Sequence, residues 1–95
     1  MEYSAEDRIE YLRSIKPRLG DREVYVHYKG GVYVALGMAR HTETGESLVI
    51  YQHLWPHYDI SWKARPLANW QGLVPDPRNP GELIPRFLLV DFDKI

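Results

Sequence analysis

The chain contains no cysteine among its 95 residues. A disulfide framework, a catalytic thiol and thiolate metal ligands are therefore excluded. Neither sign of charge is in excess, because 12 Lys and Arg face 13 Asp and Glu and the net charge is −1. This balance provides no long-range attraction to nucleic acid or to an anionic membrane.

Long apolar runs are also missing, since no stretch approaches the ~18 consecutive apolar residues of a membrane helix. The first residues, Met1 to Asp7, have neither the basic nor the apolar region of a signal peptide. We therefore expect a cytoplasmic protein with no membrane partner. A chain of 95 residues that is 44% hydrophobic is expected to form a single domain over residues 1–95, with one modest core.

The first element is predicted to be a helix over residues 5–15. Ser4 and Asp7 have the spacing of a capping box. Pro17 is expected to end the helix, because proline disfavours the helical conformation at the residue before it. The apolar positions repeat at helical spacing and should pack on the rest of the domain: Ile9, Leu12 and Ile15.

A β region with two glycine turns follows the helix. The turn Lys29-Gly30-Gly31 is predicted to be a three-residue loop with Gly31 in the left-handed conformation, which pairs Val26 with Val34. The second turn, Glu43-Thr44-Gly45, pairs Gly37 with Tyr51. Both registers place valines on one face of the strands and Tyr and His side chains on the other.

These strands predict a mostly β fold, a small and partly open SH3-like antiparallel barrel over residues 24–90. The N-terminal α-helix, as an extension over residues 1–20, would pack against it. One short helical turn is expected near residues 67–71 and a final strand near residues 83–90. Three large aromatic residues are expected in the core: Trp62, Trp70 and Phe87.

The face opposite the valines carries the candidate ligand-binding residues: His27, Tyr33, His41, Tyr51 and Arg65. Tyr and His rings would form the walls of a groove, and small residues such as Ala35 and Gly37 would leave space for a ligand. The competing interpretation is that the N-terminal helix fills this space, since a helix approaches a sheet closely only over small residues. The two interpretations can each apply to part of the face.

Catalytic and metal sites have weaker support in the sequence. His41 and Glu43 with His53 across the hairpin could supply three metal ligands, but a turn residue such as Glu43 is normally solvated. Hydroxyl groups near His41 lack a residue that would orient the imidazole as a base. The segment Lys29-Gly30-Gly31 lacks the strand–loop–helix context of a P-loop. We therefore assign no catalytic residue, no metal and no cofactor.

Three functions stay open. The favoured one is a non-enzymatic module that binds an unknown small molecule or a peptide on the Tyr/His face. The alternative is a small enzyme or nucleotide-binding domain that uses His41, Tyr51 and Arg65. A single-stranded nucleic-acid binder is possible, because exposed aromatic rings can stack on bases beside Lys and Arg, but the neutral charge does not favour it.

The same motifs resemble a family of small bacterial proteins, the domain-of-unknown-function family numbered 1653. The resemblance covers roughly residues 24–88 and is carried by these residues: Tyr28-Lys29-Gly30-Gly31, Tyr33, Leu36-Gly37, Ala39, His41, Glu43-Thr44, Leu48-Val49-Ile50-Tyr51-Gln52, Trp62, Arg65-Pro66 and Pro85-Arg86-Phe87. It implies a compact, cytoplasmic, mostly β domain and brings no established activity. The N-terminal helix, the loop at residues 55–58 and the proline-rich connection depart from the family pattern.

Overall fold

The computed structural model describes residues 3–95, so residues 1–2 of the expected extension lie outside the described part. Its elements are, in chain order, α1 (Ala5–Leu19), β1 (Val24–His27), β2 (Val32–Arg40), β3 (Ser47–Trp55), β4 (Lys63–Pro66), α2 (Leu67–Trp70), β5 (Leu73–Pro75), β6 (Leu83–Pro85), β7 (Phe87–Leu89) and a 3-10 helix (Phe92–Lys94). The fold is mixed α/β, with an N-terminal helix, a five-stranded antiparallel sheet and a separate hairpin.

The five-stranded sheet has the order β4-β3-β2-β1-β7, and β5 pairs with β6. Within residues 3–95 the strand pairs do not close into a ring, because β4 and β7 are the two edges of the sheet. Only Arg86 separates β6 from β7. One bent segment of chain therefore joins the hairpin to the sheet.

Helix α1 begins as the sequence predicts and ends later. The capping box between Ser4 and Asp7 is confirmed. The prediction that Pro17 ends the helix is wrong, because the helix continues to Leu19 and its cap is Gly20, with φ of 60° and an N–H that donates to the Lys16 carbonyl. Proline biases the preceding residue without forbidding a helix there. Packing of Leu19 against the core accompanies the extra turn.

The two faces of the sheet are covered by different elements. Helix α1 packs through Leu12, which is 3% exposed, onto a valine-rich face, while Ile9 and Ile15 are only half-buried. That core cluster comprises Leu12, Val24, Val32, Val34 and Leu54. The opposite face, here called the aromatic face, comprises Tyr25, Tyr33, Val49, Tyr51, Leu67, Trp70 and Phe87. The helix therefore does not fill the Tyr/His side of the sheet.

The predicted register of the first hairpin is wrong by two residues. Val26 pairs with Val32 and Val24 with Val34, instead of Val26 with Val34. The reason is that Gly30, with φ of 104°, takes the left-handed conformation in place of Gly31, so the three-residue loop lies one residue earlier, at residues 28–30. Because the shift is even, every side chain keeps its predicted face.

The predicted pairing of Gly37 with Tyr51 is also wrong. Tyr51 pairs with Ala35 and Gly37 pairs with Ile50. The second turn already sets a register one residue away from the predicted one, with Arg40 opposite Ser47, and a bulge between Ala35 and Gly37 adds a second residue of shift. An extra residue in one strand shifts the alternation of faces beyond it. Met38 consequently pairs with Val49 of the aromatic face.

Two of the three aromatic residues expected in the core are buried. Trp70 is 5% exposed and Phe87 is 7% exposed, which confirms both expectations. Trp62 is 70% exposed, so its expected burial is wrong. It precedes β4, the edge strand, where no further strand covers it.

Candidate functional site

A stacked pair of rings forms the centre of the aromatic face. Trp70 from α2 and Phe87 from β7 have ring centroids 3.8 Å apart and planes 10° apart. Tyr51 and Tyr25 meet Trp70 edge-on, with centroids 5.0 Å and 5.1 Å away. These contacts bring side chains of β1, β3, α2 and β7 into one cluster.

Two of the predicted site residues border the Phe87 ring. His27 lies with its ring centroid 4.9 Å from that of Phe87, and Tyr33 lies 5.5 Å from it. Tyr33 also stacks on His53 at 4.5 Å, as expected for residues directly opposite each other on β2 and β3. The aromatic surface thus continues across three adjacent strands.

Arg65 completes this part of the site. Its Nε donates a hydrogen bond to the Tyr51 hydroxyl at 3.2 Å, and its Nη1 donates to Oδ1 of Asn69 at 2.7 Å. The guanidinium carbon lies 5.2 Å from the centre of the Phe87 ring. The structure therefore brings together four of the five predicted residues: His27, Tyr33, Tyr51 and Arg65.

The structure places His41 apart from the other four. Its Nδ1 accepts hydrogen bonds from the backbone N–H groups of Glu43 and Thr44, at 3.2 Å and 3.3 Å, so it caps the second turn. Eight residues of extended chain separate it from Tyr33, roughly 26 Å. His53 pairs with Tyr33, and the metal set of His41, Glu43 and His53 is therefore not assembled.

No group of three or more His, Asp or Glu side chains within residues 3–95 is placed to hold a metal ion. None of the helices in the described part of the chain is long and apolar enough to cross a membrane.

Both histidines beside Tyr33 are held as neutral rings. Burial, together with the positive charges of Arg65, Lys29 and Arg86, lowers the pKa of His27 to about 4. Burial also lowers the pKa of His53. Nδ1 of His27 accepts a hydrogen bond from the Lys29 N–H at 3.2 Å, so the ring proton of the neutral form is on Nε2. His27 therefore offers a hydrogen-bond donor.

A cavity of about 600 Å³ opens beside Trp70, between the sheet and α2. It is lined by Arg22, Glu23, Tyr25, Ala35, Leu36, Gly37, Met38, Val49, Leu67, Trp70, Gln71 and Phe87. Phe87 belongs both to this lining and to the cluster with His27 and Tyr33. The cavity and the four predicted residues thus lie on the same face, on either side of the stacked pair.

Sequence reasoning missed part of this site. Tyr25 alternates with His27 on β1, which predicts its position on this face, but it is absent from the predicted ligand-binding set. Met38 gave no such signal, since only the bulge places it opposite Val49. Asn69 gave no signal either, because its role depends on a fold that brings Arg65 close to α2.

An open antiparallel sheet with a helix on one face and an aromatic cluster on the other defines a small mixed domain. The family model described as protein of unknown function (DUF1653) matches residues 23–89. The chain is similar to a crystal structure of a protein belonging to DUF1653 from Bordetella bronchiseptica, with 36% identity, a TM-score of 0.62, and coverage of 77% of this chain and 90% of that one. No curated protein matches. The chain belongs to the DUF1653 family, which confirms the resemblance in its motifs.

Proposed function

We propose that this domain is a non-enzymatic binding module that takes a small ligand or a peptide on its aromatic face. The observation that carries the proposal is the cavity of about 600 Å³ beside Trp70. Ligand pockets commonly measure ~300–1,000 Å³ and have apolar and aromatic walls with a few polar groups. This cavity has that character, with Tyr25, Trp70 and Phe87 as walls and Arg22, Glu23 and Gln71 at its border.

The location of α1 supports the same proposal. The helix packs on the valine-rich face through Leu12, so it leaves the aromatic face accessible. Ala35 lines the cavity with only a methyl side chain and lies opposite Tyr51 of the aromatic face. A ligand can therefore enter without displacing an element of the fold.

The four gathered residues would orient such a ligand. The half-buried Tyr33 presents ring surface, Nε2 of the neutral His27 donates a hydrogen bond, and Arg65 presents a cation held by Tyr51 and Asn69. Rings provide apolar contact area and the donors provide direction. A ligand with an apolar body and a polar end matches this division.

We also propose the finer architecture, a partly open SH3-like barrel. Its support is the bent segment of β6 and β7, of which β6 pairs with β5 and β7 pairs with β1. The Arg86 N–H donates to the Gly72 carbonyl at 2.9 Å, which links the segment back to the start of β5. We also propose a cytoplasmic location. The chain has no cysteine, and disulfides are typical of small secreted domains.

The proposal is tested by an amide chemical-shift titration of the full chain with pools of small metabolites and short peptides. We expect saturable shifts in β1, β2, α2 and β7, the elements that surround the cavity and Phe87. Shifts confined to α1 and the 3-10 helix, or no shifts with any pool, would overturn the proposal. Shifts that occur only with oligonucleotides and vanish steeply with salt would favour the nucleic-acid alternative.

A pair of variants makes the titration specific. Ala35→Leu enlarges a side chain that lines the cavity and lies opposite Tyr51 of the aromatic face, so it should weaken binding. Ala39→Leu makes the same change four residues further along β2, at an exposed position outside the cavity lining, and should bind like the parent. Equal affinity in both variants would exclude the cavity as the site.

A further inference from the structure

Two arginines on the aromatic face are anchored to the same residue. Nη1 of Arg65 donates to the side-chain oxygen of Asn69 at 2.7 Å, and Nε of Arg86 donates to the backbone oxygen of Asn69 at 3.1 Å. Each guanidinium carries five N–H groups. Most of those on Arg65 and Arg86 remain free to donate to something else.

Neither arginine has a carboxylate partner in the described part of the chain. The ion pairs found there join Lys63 to Asp59 and Lys94 to Asp91. Arg65 and Arg86 are nonetheless half-buried, which distinguishes them from freely solvated surface arginines. A guanidinium that is partly shielded from water binds a carboxylate or a phosphate strongly, and the ion pairs within residues 3–95 leave both arginines without such an anion.

The surroundings of the two arginines are rich in donors. His27 lies close enough that Arg65, Lys29 and Arg86 all disfavour its protonation. Its Nε2–H is a further donor, because Nδ1 already accepts from the Lys29 N–H. Apolar surface adjoins these groups in the half-buried ring of Tyr33, whose centroid lies 6.0 Å from that of His27.

We infer that the aromatic-face site recognises an anionic group, a carboxylate or a phosphate, through Arg65 and Arg86, with the ligand's apolar body against the half-buried ring of Tyr33. The inference rests on the proposed function and specifies the ligand class for it. Guanidinium groups suit both anions because their N–H groups match two oxygens at once. His27, whose ring centroid lies 4.9 Å from that of Phe87, supplies a third donor through Nε2.

The competing explanation is that the two arginines only hold α2 in place through Asn69. That role needs the hydrogen bonds to Asn69 but no anion. It predicts that an uncharged ligand of the same shape binds as well as an anionic one. Comparing charged and neutral ligands of matched shape in the parent protein therefore separates the explanations without any substitution.

The experiment titrates the full chain with benzoate, with its neutral counterpart benzamide, and with phenyl phosphate, all at constant ionic strength. Binding is followed by the amide shifts of β1 and β7, the arginine Nε–H signals and the His27 ring signals. We expect benzoate or phenyl phosphate to bind about tenfold or more tightly than benzamide, as for a hydrogen bond to a charged group. Tighter binding of benzoate would identify a carboxylate as the preferred group, and tighter binding of phenyl phosphate would identify a phosphate.

Three Arg→Gln variants test the site, two at the inferred anion-binding residues and one as a control. Arg65→Gln and Arg86→Gln should each weaken anion binding about tenfold. Arg40→Gln removes the same charge at the second turn, where Arg40 donates to the Gly45 carbonyl, and should leave binding unchanged. If Arg65→Gln fails to fold, Arg86→Gln and the comparison of ligands in the parent protein still decide.

The outcomes also separate this inference from the proposed function. Equal binding of benzamide and the anions on the aromatic face overturns the anion inference and leaves the binding module intact. An equal loss of anion binding in all three variants indicates a general charge effect and overturns it as well. If neither benzamide nor the anions shift the aromatic face, the anion inference is overturned, and the pooled titration then decides the proposed function separately.

Discussion

Trp70 and Phe87 stack with their ring centroids 3.8 Å apart and are both almost fully buried. Trp70 ends the short helix α2, and Phe87 begins the edge strand β7. Helix α2 belongs to no strand pair, and β7 pairs only with β1 in the described part of the chain, so no ladder joins the two elements. The ring contact therefore joins α2, which follows the edge strand β4, to β7 at the other edge of the sheet.

Replacing Phe87 with alanine is expected to lower the free energy of unfolding by about 3–5 kcal/mol, because the large cavity left in this cluster cannot collapse fully. Leu89→Ala on the same strand is the control. Leu89 is 51% exposed, and its loss should cost no more than about 0.5 kcal/mol. Urea denaturation measures both. Similar small losses in the two variants would contradict the central role of the stacked pair.

Gly31, in the turn before β2, and Gly37, within β2, are expected to respond differently to an added side chain. A Cβ atom at Gly31 would lie 3.1 Å from Nε2 of His53 and 3.1 Å from a ring carbon of Tyr33, whereas one at Gly37 would meet nothing within 4 Å. Gly31→Ala should therefore cost about 1–3 kcal/mol of stability through overpacking, and Gly37→Ala at most about 0.5 kcal/mol. Thermal or urea unfolding of both variants provides the comparison, and a reversed order would refute this packing.

Docking of α1 is tested by two substitutions one turn apart. Leu12 is 3% exposed while Ile9 is half-buried. Leu12→Ala should destabilise the fold by about 2–5 kcal/mol, and Ile9→Ala should cost clearly less. Equal and negligible losses in urea unfolding would mean that α1 does not contribute to the core.

The lowered pKa of His27 predicts acid sensitivity of the fold. Between its ordinary value of 6.5 and about 4, the unfolded chain binds a proton that the folded chain does not. Stability is consequently complete above pH 6.5 and falls as the pH is lowered towards 4. The lowered pKa of His53 acts in the same direction.

The measurement is the melting temperature across this pH range for the parent and for His27→Asn, which retains an acceptor for the Lys29 N–H. The variant should lose stability less steeply with acid. His57→Gln, which removes an imidazole from an exposed loop position, is the control and should follow the parent. Parallel curves for the parent and His27→Asn would show that the folded protein does not exclude this proton. The groups that face His27 are Arg65, Lys29, Arg86 and His53.

The sequence predicts the content of each face better than the pairing between strands. Alternation of Val24 and Val26 with Tyr25 and His27 is a local property, so it identifies the two sides of β1. The register depends on which glycine adopts positive φ, and Gly30 and Gly31 are equally suited to it. An error of two residues there leaves the faces correct, which explains why the Tyr/His side was assigned successfully.

The part of the site beyond the bulge could not be derived in this way. A regular strand would place His41 on the side of Tyr33, but the bulge at Ala35–Gly37 interrupts the alternation and His41 caps the turn. Arg65 was placed correctly although no turn fixes its strand. Its partner Asn69 and the neighbouring Arg86 become recognisable only when α2 and β7 are packed together.

The central claim is that an aromatic anion binds on the aromatic face and not on the face covered by α1. Intermolecular nuclear Overhauser effects between benzoate and the protein, recorded at saturating benzoate, test it most directly. The account predicts contacts from the benzoate ring to ring protons of Phe87 and Tyr33, and none to Leu12 or Val34. Contacts to Leu12 or Val34, or an absence of contacts to the aromatic face, would contradict it.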